Sequence, residues 1–442
     1  MRGVFYGWWI VAAGGVVQGY ASATFWRGFA AFFGPIVDTF GWSSGATAGA
    51  MSLQRTEGGM ISPFVGTIIN RFGPRRVMAV GIAITGTSFI LMSQVQSLWQ
   101  FYATMALLTV GMSFGTFIVL VSTVGNWFVR KRSKALAILM ACTGVGGFMV
   151  PVLVLSIDTF GWRDVLFSVG VGFWIIGFPA AYFMRTRPED YGQVPDGVSE
   201  IDEATGRPVV IREPSFTVRQ VVRTRFFWQF SIAASFGQLV SSTNLLHITA
   251  LESFDVSLKL ASLAIFMVAV GDFAGRLGIG ALSTKFDNRV LFAGAFGIQA
   301  IGTFALALTH YDVFGFTLPL YLTLPFFALG FGVGFGSSIP LRLSMLADCF
   351  GRRSYASVVG ITSTVSAGFG AVGPVAVGLS FDLADTYRPG FLVLGLFLIA
   401  AIPMTLALER PGRVAAKLRR GQSRARAMAA LDTPARGDQT ER

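Results

Sequence analysis

Charged residues are rare along this chain, and the gaps between them set its architecture. Apolar runs of about twenty residues, the length that crosses a bilayer as a helix, alternate with short clusters of charge, Gly and Pro. In the first half they occupy 8–36, 45–69, 77–94, 99–124, 134–157 and 165–184; in the second, 226–252, 258–283, 290–309, 315–345, 355–380 and 389–408. Twelve helical spans in two sets of six are predicted. Between the sets, residues 185–225 carry seven basic and seven acidic residues and are interrupted by Pro188, Pro195, Pro208 and Pro214. That composition reads as a linker. The predicted organisation is an N-terminal six-helix half (1–184), a cytoplasmic linker (185–225), a C-terminal six-helix half (226–410) and a basic, disordered cytoplasmic tail (411–442).

Composition sharpens this picture. The 442 residues are 53% apolar and 13% charged, with a mean hydropathy of +0.62, whereas a soluble domain is about 25% charged. Phe (42) and Gly (53) are abundant, which suits helices packed closely in lipid. A soluble enzyme and a disordered chain are excluded. So is an outer-membrane barrel, whose alternating strands give no long apolar runs. The first hydrophobic stretch outruns a signal-peptide core and is expected to be retained as a span. Cys142, Cys349 and two histidines give neither a disulfide framework nor a metal spacing.

Lys and Arg set the orientation. With the N-terminus in the cytoplasm, 28 of the 35 basic residues lie inside, four lie within spans, and only Arg163, Lys259 and Arg388 lie outside. Both termini are expected in the cytoplasm, with the protein in the inner (plasma) membrane. The tail, with eight basic and three acidic residues, is expected to meet anionic lipid rather than nucleic acid. The halves echo each other: Asn126-Trp-Phe-Val-Arg-Lys-Arg-Ser-Lys-Ala precedes the fifth span and Asp348-Cys-Phe-Gly-Arg-Arg-Ser-Tyr-Ala the eleventh. A similar pair, beginning Gly66-Thr-Ile-Ile-Asn and Gly280-Ala-Leu-Ser-Thr, follows the second and eighth spans. Parallel repeats of this kind build transporters that rock about a midplane site.

The run Gly66-x-x-x-Asn70-Arg71-x-Gly73-x-Arg75-Arg76 resembles the loop signature of the major facilitator superfamily, with Asn70 where an Asp is usual. Tyr6-Gly-Trp-Trp, Arg55-Thr-Glu-Gly-Gly, Gly161-Trp-Arg, Arg187-Pro-Glu-Asp-Tyr-Gly and the pair Asp272 and Arg276 resemble its bacterial monocarboxylate-transporter-like branch, related to oxalate–formate exchangers. The resemblance covers nearly all of residues 5–410. It implies an all-α integral membrane protein with twelve helices in two pseudo-symmetric halves, the major facilitator fold. It also implies that the signature loop braces neighbouring helix ends in one access state, with Asn70 keeping hydrogen bonding but not charge.

Charges deep in a span are costly and mark function by default. Asp272 lies 15 residues from Ser257 and 13 from Lys285, at midspan. Arg276 is one turn away on the same face and is the expected carboxylate clamp, its planar fork matching a carboxylate in two bonds. A bound carboxylate would loosen the Asp272–Arg276 pairing and favour proton uptake at Asp272, which is anion–proton symport. The resemblance points to Arg27 in the first span for substrate entry. His247 holds roughly the equivalent place in the seventh span and is a further substrate contact or proton carrier. Glu57, at the centre of the second span, is a reserve proton site. Arg55 is about 200° around the same helix and belongs to an interhelix ion network. Arg342, about 9 Å along the axis from Asp348, reaches the interface structurally. Gly144-x-Gly146-Gly147 and Gly330-x-Gly332-x-Gly334-x-Gly336 lack the strand and Lys-Ser/Thr of a phosphate loop and read as close helix packing.

The expected activity is secondary transport of a small organic monocarboxylate with a proton, by alternating access. The chain is expected to work as a monomer in the lipid bilayer, driven by the proton gradient, with no cofactor, metal, enzyme activity or nucleic-acid partner. Residues 355–380 lack the Lys that oxalate-type exchangers use for a second carboxylate, so dicarboxylate or formate-type exchange is the alternative. A non-transporting carboxylate sensor is the other.

Overall fold

Helix boundaries fall where the chain loses an amide donor or its right-handed backbone. In the computed structural model, residues 5–42, 61–62, 64–197, 216–313, 316–352, 354–409, 413–414 and 416 are described. The first span begins as α1 (Tyr6–Ala21), passes through a π turn (Ser22–Trp26) and resumes as α2 (Ala30–Phe40), ending at left-handed Gly41. Residues 64–72 form α3. Gly73, at φ 81°, then turns the chain into α4 (Pro74–Ser93), whose first position needs no donor and takes Pro74. The fourth span is α5 (Leu98–Gly115) with α6 (Phe117–Trp127), and the fifth is α7 (Arg132–Phe148) with α8 (Val150–Phe160). The sixth, α9 (Trp162–Phe183), follows Gly161 at φ 84°.

A short helix, α10 (Val218–Val222), opened by a Thr217–Gln220 capping box, leads into the second half. There α11 (Arg225–Ser241) tightens into a 3-10 turn (Ser242–Leu246) and continues as α12 (His247–Ser253). The remaining spans are α13 (Leu258–Leu282), α14 (Asn288–Ala307), α15 (Leu320–Phe350), α16 (Tyr355–Ala384) and α17 (Arg388–Leu406). Among the described residues nine helical stretches are long and apolar enough to cross a membrane. The other three spans are the first and seventh, both broken at midlength, and the second, described only in part. The tenth starts at Leu320 rather than 315, because β1 (Asp312–Val313) pairs antiparallel with β2 (Phe316–Thr317) and extended Pro319 opens the helix.

The halves repeat one packing plan. In the first, α4 lies between α5 and α9 while α1 packs on α7; in the second, α14 lies between α15 and α17 while α11 packs on α16. Arg163 and Arg388, at the helix ends opposite the basic loops, serve this plan in matching ways. Arg163, opening α9, donates to the Ser93 and Val95 carbonyls at the C-terminal end of α4, at 2.7 and 3.1 Å. Arg388, opening α17, donates to the Ala307 and Thr309 carbonyls at the C-terminal end of α14, at 2.8 and 2.7 Å. Each satisfies carbonyls that a helix end leaves without partners.

The halves meet through α7 on α13 and α15, and through α6 on α16. On the side of the basic loops this seam is closed by charge. Arg132 Nη1 donates to Asp348 Oδ1 at 2.9 Å and Ser133 contacts Ser344 at 2.6 Å. Arg352 donates to the Asn126 carbonyl at 3.0 Å and pairs with Glu189 at 2.7 Å. The polar segment after α9 is pinned down here too: Asp196 accepts from the amides of Val129, Arg130 and Lys131, at 3.1, 2.7 and 3.1 Å. At the end away from the basic loops, α8 packs on α2 and α9 within its own half, and Val152, Leu155 and Phe160 are exposed.

Gly66 sets how tightly the seam shuts, because a Cβ there would sit 2.4 Å from the Ser357 amide nitrogen of α16. Gly66→Val is therefore expected to hold the basic-loop side open. In a background without Cys142 and Cys349, maleimide labelling of Ser344→Cys should speed up several-fold, and an unchanged rate would show that this crossing does not limit closure.

Candidate functional site

Asp272 sits at midspan on α13 and is 1% exposed. Its Oδ1 accepts from Arg276 Nε at 2.7 Å and its Oδ2 from Arg276 Nη2 at 3.1 Å, the one-turn pairing that the spacing predicts. Oδ2 also accepts from Arg27 Nη2 at 2.7 Å, and Arg27 comes from the other half. Arg276 reaches across as well, its Nη1 donating to the Met140 carbonyl of α7 at 2.8 Å. Two guanidiniums thus enclose one carboxylate, and the cluster carries one net positive charge.

The two arginines differ in access. Arg276 is 3% exposed and all three of its nitrogens are engaged. The Arg27 side chain keeps 31% of its surface accessible and meets Asp272 through one nitrogen. Arg27 is therefore the more accessible of the two guanidiniums, and Arg276 is enclosed with Asp272 on the same helix.

Small residues make the cluster possible. A Cβ at Gly147 would lie 2.9 Å from Arg27 Cδ, and one at Gly336 would lie 2.1 Å from the Asp272 carbonyl oxygen. Along α15 the glycines alternate: Gly332 and Gly336 press on α13, Gly330 and Gly334 on α14. These glycine runs are packing surfaces that carry the backbone up to the site. The π turn contributes too: the Arg27 amide bonds to the Ser22 carbonyl five residues back, at 3.0 Å, and such a bulge re-aims the side chain that follows it.

The other charged positions lie apart. His247 is fully buried, edge-on to Phe327 and Phe331 with ring centroids 5.1 and 4.7 Å away, and tilted against Phe391. Its Nε2 approaches Thr243 Oγ1 at 3.5 Å; among the described residues its Nδ1 has no partner, and it shares no hydrogen bond with the cluster. Arg342 is partly buried on α15 near Tyr355, toward the seam. In the signature loop, Arg75 stacks on Tyr182 at 4.2 Å and Arg71 on Phe72 at 5.4 Å, both within the first half; Asn70 and Arg76 are exposed, and Gly73 supplies the turn. Arg55 and Glu57 lie outside the described residues.

The contacts that join the halves at the seam, Arg132–Asp348 and Arg352–Glu189, were not singled out by sequence reasoning. The signal was present in the echoing motifs, which turn out to face each other: Arg132 of the first reaches Asp348, the opening residue of the second, and Arg352 of the second reaches Asn126, the opening residue of the first.

Removing Asp272 would leave two facing guanidiniums, one of them buried. Asp272→Ala is expected to cost about 3–5 kcal/mol, the usual penalty for breaking a buried pair, seen as a lower unfolding temperature in detergent. Adding Arg276→Ala should recover part of that loss; no recovery would mean that the loss comes from packing rather than charge.

Monocarboxylate transporter 2 of Homo sapiens is 24% identical over 420 residues, covering 90% of this chain and 84% of that protein. An uncharacterized MFS-type transporter, YcxA of Bacillus subtilis, is 22% identical over 391 residues, covering 86% of this chain and 90% of its own. In fold, the chain is similar to the Escherichia coli fucose:proton symporter FucP, with a TM-score of 0.65 at 13% identity, over 92% of this chain and all of that one. FucP in the outward conformation gives a TM-score of 0.68, also at 13% identity. The Major Facilitator Superfamily model matches residues 19–374, and the chain, a multi-pass membrane transporter and not an enzyme, belongs to that superfamily.

Proposed function

We propose that this transporter carries a small organic monocarboxylate together with a proton, by alternating access, in the inner (plasma) membrane with both termini in the cytoplasm. The observation that carries the reading is the Arg27–Asp272–Arg276 cluster, one net positive charge held between the halves at midspan. A carboxylate meeting Arg27 competes with Asp272 for that guanidinium. Asp272 then has one partner fewer and takes a proton, so the two bindings are coupled reciprocally. The empty cluster carries +1, and so does the cluster holding one anion and one proton. Loaded and empty carriers cross with equal charge, and the cycle is electroneutral.

Several features support the parts of this reading. A single surplus charge suits a monoanion better than a dicarboxylate, and α16 adds no Lys or Arg within 355–380. The relatives named as monocarboxylate transporters lend the substrate class. The excess of Lys and Arg on the seam side supports a cytoplasmic seam. Both halves of the site come from one chain, which supports a working monomer, and the driving force proposed is the proton gradient. Glu57 and His247 are kept as secondary proton carriers, His247 requiring that its aromatic cage open. Arg276 becomes a substrate contact once Asp272 is protonated.

The test begins with thermal unfolding against a panel of mono- and dicarboxylates. A ligand at 100 times its Kd should add about 2.7 kcal/mol. Uptake of the best ligand into proteoliposomes should follow an imposed pH gradient and ignore a potassium–valinomycin potential. Arg27→Gln should lose both stabilisation and uptake, while Asp272→Asn should lose pH-driven accumulation. Uptake driven by potential, or intact in Arg27→Gln, would refute the mechanism. Stabilisation by dicarboxylates alone would make the protein an exchanger, and binding without counterflow would make it a sensor.

A further inference from the structure

Arg342 is a charge within a span that the Asp272 cluster does not use. It lies on α15, and among the described residues it makes no hydrogen bond and no ion pair. Asp348, six residues on, pairs with Arg132 of the first half instead. A guanidinium held inside a membrane protein without a counter-charge is costly. Its N–H donors therefore call for water or for an anion that enters.

The surroundings of Arg342 point inward. Phe335, Ser338, Ile339 and Arg342 follow an i, i+3, i+4, i+7 pattern, so they share one face of α15, and all four are part-exposed. Gly332 and Gly336, which press on α13, and Gly330 and Gly334, which press on α14, lie off that face. One turn before it Phe331, and one turn after it Leu346, are each 1% exposed. Tyr355 of α16, beside Arg342, is buried too. The face therefore borders a space inside the bundle and not the open bilayer. Gly336 abuts the Asp272 backbone, and Arg342 is six residues, about 9 Å, nearer the seam. Ser344, which meets Ser133 across the seam, comes two residues later. Arg342 thus stands between the central cluster and the closed end of the bundle.

The chemistry of that face selects the occupant. A guanidinium fork meets a carboxylate through two parallel bonds. Ile339 and Phe335, one and two turns from Arg342, offer apolar contact that an organic acid can use and a hydrated inorganic anion cannot. We propose that Arg342 is a second carboxylate site on the path, taking the organic monocarboxylate from Arg27 and holding it on the seam side of Asp272 until the seam opens. The inference rests on the central cluster being the entry site and adds the step that follows. When the anion moves to Arg342, Arg27 pairs with Asp272 again and Asp272 gives up its proton. Anion and proton are then discharged toward the same side.

The test uses the full-length protein in membrane vesicles of both orientations, at equal pH on the two sides, with labelled acetate, pyruvate, L-lactate, hexanoate and benzoate. Arg342→Gln should raise the ratio of KM on the basic-loop side to KM on the opposite side about tenfold, the scale of one lost charge-assisted hydrogen bond. Arg342→Lys, which keeps the charge, should recover most of that change. A charge without a partner burdens the empty protein, so Arg342→Gln should leave its unfolding temperature in detergent unchanged or higher. An unchanged KM ratio, or a lower unfolding temperature, would overturn the proposal. An equal lowering in Glu57→Gln would further identify Arg342 as half of a structural ion pair. The central site fails separately: Arg27→Gln should abolish uptake from both sides, and intact uptake there refutes the entry site whatever Arg342 does. Wild-type vesicles that take up none of the panel would remove both readings.

Discussion

A carboxylate enclosed in the middle of a membrane protein has to be neutralised on the spot, because water is not there to do it. Asp272 meets this constraint with two guanidiniums, and its second partner comes from the opposite half of the molecule. The pairing is therefore also a bond between the halves. Any event that changes the charge at Asp272 or Arg27 changes how strongly the halves are held at their midpoint. Chemistry at the site and movement of the bundle are joined through one carboxylate. The close glycine contacts of α7 and α15 are needed for it, since a larger residue at Gly147 or Gly336 would push Arg27 or the Asp272 backbone out of position.

The two halves use the same plan with one instructive difference. The first helix of each is broken at midlength, by a loosened π turn before Arg27 and by a tightened 3-10 turn before His247. The break in the first half directs an arginine toward the interface between halves. The break in the second half buries a histidine among phenylalanines of its own half. Each residue directly follows the break in the first helix of its half, and local winding sends the two to different surroundings. The seam shows the complementary case, where the two echoing motifs bind each other.

Much of the fold was legible in the sequence because the membrane imposes so few solutions. Apolar runs between charges mark spans, and Gly or Pro marks many of their ends, as at Gly41, Gly73, Pro74 and Gly161. The start of the tenth span was misplaced because the β1–β2 hairpin is apolar enough to read as helix. Within the site, the pairing of Asp272 with Arg276 was legible because it is local, four residues apart on one helix. The reach of Arg27 was not, since 245 residues separate it from Asp272 and a π turn aims it.

The sequence by itself determined that this is a twelve-span bundle of two related halves with buried charge at midspan. Each of those properties follows from hydropathy, repetition and the cost of charge in lipid, which are local or additive along the chain. Only the tertiary structure decided which arginine is accessible and which is enclosed, that His247 lies apart from the cluster, and that Arg132, Asp348, Glu189 and Arg352 close the seam. Those outcomes depend on how helices distant in sequence pack against each other. Packing fixes both the partners of a charged group and its access to water, and neither is encoded in the spacing of residues along the chain.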